Sequence, residues 1–84
     1  MSKTWQVYLI ECSDSSFYTG ITNNLEKRMN AHKTGKGSKY VKAKGFKQIL
    51  ATKNCSSKSE ASKEEYAIKQ LPKAEKLSYF NSSL

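Results

Sequence analysis

Cysteine is scarce in this chain: Cys12 and Cys55 are the only two, and they stand far apart. Neither belongs to a metal-binding or redox spacing, which argues against a zinc site or a disulfide scaffold and for two reduced cytosolic thiols. No apolar run approaches the roughly eighteen residues that a membrane span needs. Met1-Ser2-Lys3-Thr4-Trp5 leads directly into a strand-like pattern, so no signal peptide is expected and the location is read as cytoplasmic. Acid is scarce as well. Seven Asp and Glu stand against 15 Lys and Arg, giving a formal charge of +8 and a pI near 9.6. That imbalance points to a polyanionic partner, nucleic acid ahead of an anionic membrane. Arginine and histidine occur once each, as Arg28 and His32. The 84 residues contain no repeat or low-complexity linker and are read as one small domain, 1–84, with a thin core.

What is present organises simply. Residues 5–11, WQVYLIE, are rich in β-branched and aromatic side chains and apolar in both alternating registers. Such a strand belongs at the centre of a sheet covered by helices. Ser13-Asp14-Ser15-Ser16 is a turn cluster, and residues 17–22, FYTGIT, complete a hairpin in which Gly20 suggests a bulge or a close backbone approach. Asn23 or Asn24 caps a helix starting at Leu25, with Leu25 and Met29 expected to face the sheet and Arg28 and His32 to border the core. Gly35-Lys36-Gly37 ends that helix. Residues 48–52, QILAT, read as a third strand, and a second helix runs from Ser59 to about Leu71. Pro72 fits the first turn of a third helix that reaches roughly Phe80. The order ββαβαα describes an α/β fold, a small sandwich with a three-stranded antiparallel sheet flanked by helices.

Residues 33–53 hold seven lysines and no acid, so much of the positive charge is local. Such a run is most often a solvated loop. Beside a site it becomes a surface that tracks phosphates without reading sequence, and Lys36, Lys39, Lys42 and Lys44 are its candidate contacts.

Arg28 and His32 share one helix face at i and i+4. A planar guanidinium grips phosphate bidentately, which the lysines cannot do. A surface ion pair with Glu26 or Glu11 is the competing account of Arg28, and a helix-dipole partner that of His32. Strand tyrosines usually pack, as Tyr40, Tyr66 and Tyr79 are expected to. Tyr8 and Tyr18 stand out because Arg28 and His32 follow them.

Gln6-Val7-Tyr8, Tyr18-Thr19-Gly20, Arg28, His32 and a downstream helical glutamate, in that order, resemble the GIY-YIG nuclease domain, in particular its small stand-alone bacterial members. Residues 35–40, GKGSKY, and 64–71, EEYAIKQL, are similar to segments of those members. Gln6 and Val7 stand where the family's first motif has glycine and isoleucine. The resemblance spans residues 5 to about 76.

It implies a DNA phosphodiester-cleaving site, possessing one Mg²⁺ or Mn²⁺ ion. Hydrolysis needs an activated water, neutralised phosphorane-like charge and a stabilised leaving oxygen. A tyrosine serves as base only if positive charge lowers its pKa of about 10. Tyr18 suits that role, Tyr8 would assist through its hydroxyl, Arg28 would hold the phosphate, and His32 would donate to phosphate or to a tyrosine oxygen. The metal needs a carboxylate. Reading forward from Ser59-Glu60-Ala61 selects Glu65; reading backward from Ile68-Lys69, as in homing endonucleases, selects Glu64. Glu65 is preferred, as the look-alikes place an acid directly before the tyrosine, and an i,i+4 pair with Lys69 is its plain alternative. The expected function is a metal-dependent endonuclease on DNA, structure-selective in repair or recombination. The alternative is a nucleic-acid-binding module that keeps the fold without turnover, with RNA as a further candidate partner.

Overall fold

The computed structural model describes residues 4–81 of the chain. Met1-Ser2-Lys3, read above as the lead into the first strand, lies outside the described residues. Three strands form one antiparallel sheet in the order β2-β1-β3, with β1 Trp5–Cys12, β2 Phe17–Thr22 and β3 Phe46–Cys55. The helices are α1 Leu25–Lys33, α2 Lys39–Lys44, α3 Lys58–Lys69 and α4 Lys73–Asn81.

The strand that is apolar in both registers takes the centre. Val7, Tyr8, Leu9 and Ile10 are each at most 2% exposed, because helices cover both faces of the sheet. Alternation sends Val7 and Leu9 to one side. There they pack with Ala61 and Ile68 of α3 and Phe80 of α4, framed by Trp5, Phe17, Ile21 and Leu77. Tyr8, Ile10 and Cys12 point to the other side, the one that meets α1 and α2.

The expected ββαβαα frame holds, with one addition. A six-residue helix, α2, lies between α1 and β3 in the lysine-rich stretch. Ser38 opens it by accepting from Tyr40 N and Val41 N, and Gly45, at φ 84°, closes it. Val41, 1% exposed, is its buried residue. Strand β3 is also longer than the apolar run suggested, since its polar ends continue to pair with β1 through two irregularities of register. Helix α3 begins where the Ser57 hydroxyl accepts from Glu60 N at 3.1 Å. At its far end Lys76 Nζ donates to the carbonyls of Ile68 at 3.0 Å and Leu71 at 2.7 Å. A cation there satisfies acceptors that the helix leaves open.

Helix α1 departs from the expected orientation. Leu25 and Met29 are only half-buried, and the helix's buried residue is His32, 2% exposed. A helix this poor in apolar side chains docks through its imidazole. Tyr40 and Tyr66 also differ from expectation: they are 42% and 69% exposed, whereas Tyr79 packs against the core.

Candidate active site

The hairpin register sets Tyr8 directly across from Gly20 and Tyr18 across from Ile10, so both tyrosine rings rise from the same face. Their centroids are 6.4 Å apart. Gly20 is required by the close approach anticipated from the sequence: a Cβ there would lie 2.4 Å from Tyr8 Oη. The turn into α1 is fixed by Thr22, whose hydroxyl accepts from Asn24 N at 3.0 Å and donates to Asn24 O at 3.2 Å. The Asn24 side chain then accepts from Lys27 N, capping the helix that brings His32 against both tyrosine rings.

His32 enters the aromatic group edge-on, 5.7 Å from the Tyr8 ring and 5.6 Å from the Tyr18 ring. Phe46 lies parallel to it at 6.4 Å. Its Nε2 is 2.9 Å from Tyr8 Oη, a buried hydrogen bond. Its Nδ1 is buried without a partner, beneath Gly37, where an added Cβ would lie 2.7 Å away. Gly37, read from the sequence as a helix stop, therefore also makes room for the imidazole.

Burial, and then the neighbouring Arg28 charge, push the His32 imidazole below its ordinary 6.5, so it is neutral at physiological pH. Burial pushes the Tyr8 hydroxyl well above its ordinary 10; Tyr18 and Glu65 add to that shift and Arg28 opposes it. Tyr8 therefore keeps its proton.

Arg28 is half-buried and uses one nitrogen to donate to Gly37 O at 3.4 Å, a long contact. Among the described residues it has no ion pair; Glu11 instead meets Lys47 at 3.8 Å and accepts from Gln48. Most of its five N–H donors stay available. Arg28 also lines a groove of about 290 Å³ with Thr22, Asn23, Asn24, Lys27 and Ala31.

Glu64 and Glu65 of α3 part company. Glu64 Oε1 accepts from Lys53 Nζ on β3 at 2.5 Å. Glu65 is the one whose charge reaches Tyr8, while it also pairs with Lys69 at 3.2 Å. The latter is the i,i+4 pair expected from spacing, and exposed pairs of this kind hold a side chain only weakly. Lys36, Lys39, Lys42 and Lys44 are all exposed. Lys44 is less free than its neighbours, since its Nζ lies 3.2 Å from Asp14 Oδ2. Tyr40, which stacks on Tyr18 at 5.8 Å, and Phe46 were not among the residues anticipated for the site. The signal for Tyr40 was the Ser38 cap two residues before it.

The family model of the GIY-YIG catalytic domain matches residues 4–78, and the chain belongs to that family. It is 52% identical over 77 residues to the UPF0213 protein OB0043 of Oceanobacillus iheyensis, covering 92% of this chain and 90% of that protein. With the UPF0213 protein CPE1444 of Clostridium perfringens it shares 43% identity over 76 residues, 90% of this chain and 82% of the relative. Among solved structures, protein EF2693 of E. faecalis is 35% identical with a TM-score of 0.67, covering 98% of this chain and 90% of that one. The UPF0213 protein BH0048 of Bacillus halodurans is 40% identical with a TM-score of 0.54, covering 87% and 78%. The domain thus has a nuclease fold, and among the described residues no helix is long and apolar enough to cross a membrane.

Proposed function

We propose that this chain is a single-domain, divalent-metal-dependent endonuclease that hydrolyses DNA phosphodiester bonds, with Tyr8, Tyr18, Arg28, His32 and Glu65 as its working residues. The observation that carries the reading is the gathering of Tyr8, Tyr18 and His32 within 6.4 Å, ring to ring, under the charge of Arg28.

Each group has a part that follows from its surroundings. Tyr8 holds its proton, so it donates rather than abstracts. His32 is neutral, and a buried N–H without an acceptor is rarer than a bare ring nitrogen. That favours the tautomer in which Nε2–H donates to Tyr8 Oη, leaving the Tyr8 proton free to point to the reacting phosphate or to Tyr18. Tyr18 is half-buried on the edge strand β2, and would take a proton from an attacking water once its own hydroxyl proton has been lost to solvent. Arg28 spans the groove and the tyrosines, where its fork offsets the charge that builds on the phosphate oxygens.

Among the described residues no group of three His, Cys, Asp or Glu gathers. One part-buried carboxylate, Glu65, suits a hard ion of the Mg²⁺ or Mn²⁺ kind, which keeps its waters and shares its site with substrate phosphates. When bound, such an ion supplies charge neutralisation at the phosphate and acidifies a coordinated water. Lys36, Lys39 and Lys42 track the flanking backbone, with Lys44 at the margin.

The test is cleavage of labelled branched, flapped and linear DNA, with an RNA strand included, in Mg²⁺ or Mn²⁺. Nicking by the wild type that is lost in both Arg28→Ala and Glu65→Gln supports the reading. Binding without nicking under every condition rejects it in favour of a nucleic-acid-binding module on a nuclease scaffold.

A further inference from the structure

Tyr40 is 42% exposed even though its ring stacks on Tyr18, with centroids 5.8 Å apart and planes 27° from parallel. It stands in the first turn of α2, beside the Val41 anchor, so backbone and neighbour together fix its place at the mouth of the site. Through Tyr18 it joins an aromatic series that includes the buried His32 and the half-buried Phe46. Lys39, Lys42 and Lys44 share its helix, and no acid occurs in residues 33–53. The Lys44 ammonium lies over the Tyr40 ring, 5.9 Å from its centre, at the outer limit of a cation–π contact, and would have to swing aside or stay at the rim as a base stacks.

We propose that Tyr40 is a stacking platform for a nucleobase next to the scissile phosphate, and hence that the substrate carries an unpaired nucleotide there. The proposal rests on reading the neighbouring residues as a phosphodiester-cleaving site. In an unbroken duplex both faces of every base are already covered by its neighbours. Only a single strand, a flap or a frayed end offers a bare face. A tyrosine ring accepts any base, so the preference created is for strand structure and not for sequence. Lysines around it hold the adjoining phosphates.

The experiment is fluorescence anisotropy with a labelled oligothymidylate and a labelled, fully paired two-strand duplex with GC-rich ends, with chelator present to prevent cleavage. Tyr40→Leu should weaken single-strand binding about tenfold, and duplex binding much less. Tyr40→Phe, which keeps the ring, should restore single-strand affinity. Equal losses on both probes, no loss on the single strand, or a Phe variant as weak as Leu would each overturn the platform. A variant-free measurement guards against a misfolded Leu protein: 2-aminopurine within the oligothymidylate should be quenched on saturation with wild type. Unchanged or brighter emission overturns the proposal. Wild type that binds neither probe removes the platform and the nuclease reading together. Metal-dependent nicking of branched DNA, combined with binding insensitive to Tyr40, removes the platform alone.

Discussion

Gly20→Ala tests the tyrosine arrangement most directly, since it adds one methyl group and no charge. The new Cβ would lie 2.4 Å from Tyr8 Oη and 2.6 Å from Tyr8 Cζ. Ordinary carbon contacts lie near ~3.5 Å, so something must move by about 1 Å. Tyr8 has little space to give: it is 2% exposed, and its hydroxyl is bonded to His32 at 2.9 Å. Overpacking of this kind costs about 1–3 kcal/mol. Losing the Tyr8–His32 bond adds about 1 kcal/mol. Alanine's stiffer unfolded chain returns roughly 0.4–1 kcal/mol. The net is a loss of about 2 kcal/mol, which for a domain of this size lowers Tm by about 8–16 °C. Cleavage should fall further, since a misplacement of ~1 Å in a reacting group costs about a hundredfold. Thermal melting by circular dichroism and a nicking assay below the variant's Tm read the two effects separately. A variant with wild-type Tm and wild-type cleavage would refute the argument that Tyr8 is held against Gly20.

Three other outcomes follow from the geometry. His32 sits below its ordinary 6.5 in the folded chain, so as pH falls below 6.5 the unfolded chain takes up a proton that the folded chain refuses. Stability should therefore decline with acidification, by at most about 1.4 kcal/mol per pH unit, and level off below the folded value; Tm against pH that is equally steep in His32→Phe would exclude His32 as the cause. Glu64→Gln, which breaks the contact with Lys53, should cost about 1 kcal/mol in denaturant melts yet keep metal-dependent cleavage, and Glu65→Gln should do the reverse. If the Glu64 variant is the one that loses metal dependence, the ligand assignment is wrong. Replacing Lys39 and Lys42 together by glutamine should reduce the slope of log affinity against log salt by up to about 2; an unchanged slope takes α2 off the DNA path.

The hairpin, the capping of α1 by Asn23 or Asn24 and the order of the larger elements were legible because each depends on local chemistry. Asn24 caps where an Asx residue precedes an apolar periodic stretch, and Tyr8 and Tyr18 share a face because the hairpin is antiparallel. Helix α2 was hidden because KYVKAK buries a single residue, Val41, and lies between glycines in a lysine run. His32 was expected to border the core, but that it would be the buried residue of α1 was not legible. Hydropathy nominates Leu25 and Met29, whereas the hydrogen bond that favours the imidazole is made with Tyr8, 24 residues away. The two adjacent glutamates could not be told apart within α3 alone. Lys53 separates them by engaging Glu64, and it belongs to a different strand.

A three-stranded sheet leaves two edges open, and β3 is ten residues long, ample length to recruit a strand from a second molecule. Its run of backbone groups is interrupted by two register irregularities against β1 and flanked by the charged side chains of Lys47 and Lys53. Both features make that edge a poorer template for edge-to-edge association. Concentrated samples should stay dispersed for as long as that edge keeps its charge, and Lys47 and Lys53 are therefore poor choices when the surface is neutralised for crystallisation.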